Sequence, residues 1–129
     1  MTPPSSAGSG RMFAAGLAAA QCLTGTVMLG WPQPVGRAVG GAPGRAPAGW
    51  VVRVLGIRIL VQGVILIARP SRAVALASAG IDAVHGLSML AVAAGGRRYR
   101  RAALSSAAAA ALSAAASARL ARTASREHR

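Results

Sequence analysis

The chain has 129 residues, 53% of them hydrophobic, 13% charged and 3% aromatic, with a formal net charge of +13. That is too apolar and too poor in acids for an ordinary soluble domain, whose long Ala, Val and Leu runs would face water with little charged surface to offset them. All fifteen basic residues are Arg, opposed only by Asp82 and Glu127, and most sit at the ends of apolar runs; with aromatic rings nearly absent, this argues against nucleic acid as a partner and for anionic lipid headgroups.

Residues 1–11 carry Pro, Ser and Gly without apolar periodicity and read as a disordered tail. A first span is expected over about 12–31, MFAAGLAAAQCLTGTVMLGW, twenty residues without a charge; that is enough to cross roughly 30 Å of hydrocarbon. Cys22, inside it, is the only cysteine, which leaves no disulfide or Cys-based metal cage within one chain. Gln21 before it fits poorly at a lipoprotein cleavage site, so Cys22 reads as a small buried residue.

Pro32 and Pro34 stop the first span, and 32–49 reads as a Gly/Pro-rich loop bracketed by Trp31 and Trp50. Amphipathic rings favour the headgroup layer, which makes these two the expected interface anchors. The second span covers about 50–68 and ends in the polar turn Arg69-Pro70-Ser71-Arg72; the third covers about 73–94 and is closed by Gly95, Gly96 and a basic run from Arg97 to Arg101. The fourth, about 102–121, is almost entirely Ala and Ser: a strong helix former, but weakly lipophilic. Residues 122–129 form an Arg-rich tail. The expected fold class is all-α, an integral membrane bundle of about four transmembrane helices held by small side chains that let backbones approach.

Polar residues inside hydrocarbon are costly unless paired or hydrated, so they are the place to look for function. Arg58 lies twelve residues before Pro70 and Asp82 twelve residues after it. At a rise of about 1.5 Å per residue, an antiparallel pair of helices brings the two to the same depth. Gln62 follows Arg58 by one turn, and His85 follows Asp82 by three residues, which adds hydrogen-bonding neighbours on the same faces. Arg53 is close enough to the Trp50 end to snorkel. Two readings stay open for the cluster Arg58, Gln62, Asp82 and His85: a structural lock between the second and third spans, or a proton or ion relay through Asp82 and His85.

No catalytic residue, cofactor or metal site is expected. Asp82, His85 and Ser88 share a helical face, but on one straight helix the imidazole cannot stand in line between the other two. One Asp and one His are too few ligands for a metal, and no glycine-rich phosphate loop follows a strand. The chain therefore reads as a non-enzymatic membrane subunit or scaffold, with a homo-oligomer or a partner membrane protein as company; a small oligomeric transporter is the alternative.

With four spans, seven Arg fall on the side of the termini and six on the other, which barely biases orientation. The expectation is a multi-pass protein of the cell membrane with both termini cytoplasmic, and dual insertion stays open. The stretch 50–94, with Leu55-Gly56-Ile57-Arg58, then Gly63, a short basic turn, Asp82 and His85, resembles small Ala-rich four-helix membrane proteins of unknown function common in actinobacteria. The resemblance implies Gly56, Arg58, Gly63, Asp82 and His85 as a signature and implies no activity.

Overall fold

The computed structural model describes residues 6–40 and 44–126, with side chains over 8–40 and 44–123. The described chain forms five helices: α1 Ser6–Gly30, α2 Pro32–Gly40, α3 Gly49–Ala68, α4 Arg72–Gly95 and α5 Arg100–Arg126. Four stretches are long and apolar enough to cross a membrane: Gly8–Gly30, Gly49–Ala68, Arg72–Gly95 and Arg100–Thr123. The expected all-α bundle of four spans is therefore the fold, and the Ala-rich fourth stretch has the lowest mean hydropathy of the four.

Three boundaries differ from the sequence reading. The segment 32–49, read as a loop, contains α2, because Pro is tolerated in the first turn of a helix, where its missing N–H would have no intrahelical acceptor. Trp31 ends one helix and opens the next: its N–H donates to the Val27 carbonyl at 2.9 Å and its carbonyl accepts from Val35 N at 3.2 Å. The N-terminal tail is helical from Ser6, and residues 1–5 lie outside the described residues. Once the apolar span is helical, each added residue contributes one hydrogen bond without a new nucleation cost, and no Pro lies between Ser6 and Gly30 to prevent it. At the other end α5 continues past 121 to Arg126, since Ala and Arg are both good helix formers; residues 127–129, Glu127 among them, lie outside the description.

The turn between α3 and α4 is as tight as expected. Ser71 closes it, its Oγ accepting from Val74 N at 3.2 Å as the N-cap of α4.

Packing is inside-out relative to a soluble protein. The buried apolar residues are mostly Ala, namely Ala18, Ala75, Ala93, Ala103, Ala107, Ala110 and Ala121, with Val52, Leu66 and Leu120. Large side chains such as Ile57, Val61, Val64, Ile67, Leu87 and Leu112 point outward and stay exposed. In lipid there is no penalty for that arrangement, and small interior residues allow the close contact that holds helices together.

The helices associate as two tight pairs, α1 along α3 and α4 along α5, while α3 and α4 touch at few points although they are consecutive. The α1–α3 contact depends on glycine. A methyl on Gly25 would sit 2.7 Å from the Gly56 carbonyl oxygen, one on Gly56 2.9 Å from Met28 Cβ, and one on Gly63 2.7 Å from Cys22 Sγ. Cys22 is half-buried against that glycine and free of disulfide bonding. Where the two pairs do meet, Ala18 of α1, Leu66 of α3, Ala75 of α4, and Leu120 and Ala121 of α5 form one small apolar cluster. It lies toward the α3–α4 turn, leaving the middle of the seam to polar groups.

Candidate functional site

The middle of the seam is where the intramembrane charges lie. Arg58 projects from α3, and its Nη2 donates to Asp82 Oδ1 of α4 at 2.9 Å. Gln62, one turn on from Arg58, donates from Nε2 to the same oxygen at 3.3 Å. The matching depth inferred from equal spacing about Pro70 is therefore realised in contact. Because α3 and α4 are not tightly packed against each other, the long guanidinium side chain is what spans the gap.

Burial of the two partners is unequal. The Asp82 side chain is 6% exposed, whereas that of Arg58 keeps 26% of its surface. A lone carboxylate at that depth would be prohibitively costly; the adjacent guanidinium makes the cluster neutral overall. Compensation is incomplete, since Asp82 Oδ2 is buried with no hydrogen-bond partner among the described residues.

His85 makes no hydrogen bond to this group. It faces α5 instead, with Nε2 3.0 Å from Ser106 Oγ, so its polar contact lies within the α4–α5 pair. Within the expected cluster of four, hydrogen bonds join Arg58, Gln62 and Asp82, while His85, one turn away, bonds to a different partner. Ser88, the third residue on the Asp82 face, donates its hydroxyl to the Val84 carbonyl at 2.8 Å and not to His85.

A second polar contact crosses the seam that the sequence reading did not single out. Gln21 of α1, buried, donates from Nε2 to Ser113 Oγ of α5 at 3.2 Å. One turn further along the same face of α5, Ser117 is 0% exposed, and among the described residues neither its hydroxyl nor Gln21 Oε1 has a hydrogen-bond partner. A signal existed in the sequence, since Gln21 is a carboxamide in the middle of an otherwise apolar span. Which of the serines of α5 it would meet was not readable from spacing.

The two expected interface anchors sit at one end of the bundle. Trp31 follows α1, Trp50 is in the first turn of α3, and both are largely exposed. Gly49 lies against Pro32 and Gln33, which brings the two tryptophans to the same junction. Arg53, one turn in from Trp50, is exposed.

A shallow groove of about 540 Å³ follows the α4–α5 face, bounded by Ala83, Gly86, Leu87, Leu90 and Leu104, with Asp82 as the only ionisable residue in its lining. An apolar lining of this kind suits hydrocarbon better than an ion. Among the described residues there is no group of three or more His, Cys, Asp or Glu side chains placed to hold a metal ion. Comparison of the chain with protein-family models, with curated proteins and with solved structures returns no match.

The seam geometry can do two things chemically. It can clamp two helix pairs through a neutralised ion pair, and it can hold a buried carboxylate with one unsatisfied oxygen.

Proposed function

We propose that this chain is a non-enzymatic membrane subunit or scaffold in which the Arg58–Asp82 pair fastens one helix pair to the other. The observation that carries this reading is the double occupation of Asp82 Oδ1 by Arg58 and Gln62 at a seam where the helices otherwise touch little. A buried ion pair of this kind sets which helices meet and at what register more than it adds net stability. The scaffold would present its outward aliphatic faces to lipid and to partner helices, either from a second copy or from another membrane protein. Its place would be the cell membrane, with both termini cytoplasmic and Trp31 and Trp50 anchoring the opposite face. Kinship with the small Ala-rich actinobacterial membrane proteins, on Gly56, Arg58, Gly63, Asp82 and His85, belongs to the same proposal.

A second reading, an oligomeric transporter that moves a proton or ion past Asp82, draws on the partnerless Oδ2. One comparison separates the two: Asp82→Asn and Arg58→Gln, singly and together, scored for folded protein recovered from membranes and for pH-driven flux into reconstituted vesicles. The scaffold reading expects folded yield lost in the singles and partly restored in the double. Stable single variants that lose a flux present in the parent protein would establish the transporter instead.

A further inference from the structure

We propose that the turn between α4 and α5 is a binding surface for the phosphate of anionic phospholipids, a site that rests on the membrane reading above and gives it a specific lipid partner. Arg97, Arg98, Arg100 and Arg101 fall within five consecutive residues, and all four are exposed. None of them forms an ion pair or a side-chain hydrogen bond among the described residues; the Arg98 guanidinium lies 5.3 Å from the centre of the Tyr99 ring.

Among the described residues no acid is free to serve this turn. Of its two acidic residues, Asp82 is buried and held by Arg58, and Glu127 lies beyond the described part of α5. Four guanidinium groups crowded at one bilayer boundary repel one another unless an external anion draws close. Guanidinium presents a planar fork of N–H donors that matches two phosphate oxygens at once.

Position selects the lipid among phosphate sources. The turn joins two membrane-length helices directly, from Gly95 to Arg100, with exposed Val92 and Leu104 on its bilayer side and half-exposed Tyr99 at its centre. Such a ring favours the headgroup layer, so the guanidinium groups stand where lipid phosphates are already concentrated. The α3–α4 turn offers an internal contrast. It carries only Arg69 and Arg72, and its Ser71 hydroxyl is used to cap α4.

The test uses the full chain in mild detergent, titrated with dioleoylphosphatidylglycerol, with dioleoylphosphatidylcholine and with glycerol 3-phosphate, with retained lipid read by native mass spectrometry. The expected result is a preference for phosphatidylglycerol over phosphatidylcholine on the order of tenfold or more, as each arginine near an anionic surface shifts binding by roughly fivefold. Changing Arg97, Arg98, Arg100 and Arg101 together to Gln should abolish that preference, whereas Arg69→Gln with Arg72→Gln should leave most of it.

Equal retention of the two lipids by the parent chain, or an undiminished preference in the fourfold variant, overturns the proposal. Displacement of phosphatidylglycerol by glycerol 3-phosphate at similar concentration overturns it too, by assigning the turn to a free anion. If the fourfold variant loses helix content by circular dichroism, the two double variants, Arg97 with Arg98 and Arg100 with Arg101, replace it, and each must lose part of the preference. Alkaline carbonate extraction of native membranes separates the levels of failure. Release of the chain into the soluble fraction would remove the membrane reading itself, while an integral chain without lipid preference would remove only this site.

Discussion

Arg58 and Asp82 stand twelve residues to either side of Pro70 and meet at 2.9 Å, although the helices that carry them are not close-packed neighbours. The contact joins the α1–α3 pair to the α4–α5 pair. Its strength should therefore show in how the two pairs hold together, more than in the integrity of either pair.

Loss of the two partners should not cost the same. Arg58→Gln leaves the 4% exposed Asp82 with only Gln62 as donor, which should destabilise the fold by on the order of 3 kcal/mol. Asp82→Asn leaves Arg58 partly exposed and able to turn toward the headgroups, so a smaller loss is expected. Thermal unfolding in detergent, followed by the fraction of chain that stays monodisperse, ranks the variants. Equal losses that add fully in the double variant would show that the pair is not coupled.

Glycine substitutions should divide by contact. A methyl at Gly56 or Gly63 would be driven to within 3.0 Å of the α1 backbone, and each Ala variant should lose about 1–3 kcal/mol through separation of α1 from α3. Gly80 has nothing within 4 Å of the added methyl, so Gly80→Ala should stabilise α4 by roughly 0.5–1 kcal/mol. The same unfolding assay measures both, and a neutral Gly56→Ala would contradict the close pairing.

Gln21 and Ser113 should show a small coupling across the seam. Interhelical hydrogen bonds in membranes average about 0.6 kcal/mol, with a maximum near 1.7. A cycle of Gln21→Leu and Ser113→Ala should return a value in that range; zero coupling would mean that the 3.2 Å contact contributes nothing beyond packing.

Topology gives an independent check on α5. Four crossings place both termini on one face, so impermeant labels applied to intact cells should treat an N-terminal and a C-terminal tag alike. Opposite accessibility would mean that an odd number of the four helices crosses, with Arg100–Thr123, the least hydropathic, the first to question.

Much of this architecture was legible in the amino-acid order. Long apolar runs with few charges, their lengths and the flanking Trp and Arg residues locate four helices, because crossing a bilayer imposes a length and an apolar composition that few other structures share. Equal spacing about Pro70 likewise placed Arg58 level with Asp82, since helical rise is constant. What spacing could not decide was which helices are neighbours. That depended on where small residues from distant segments allow backbones to meet, as Gly25 and Cys22 do with Gly56 and Gly63. Side-chain direction across the seam was likewise a tertiary outcome. Gln62 turns to Asp82 while His85 turns to Ser106, and Gln21 finds Ser113 from 92 residues away. Helical periodicity determines the face of each helix on which a residue lies; the packing of the two pairs alone determines which face it meets.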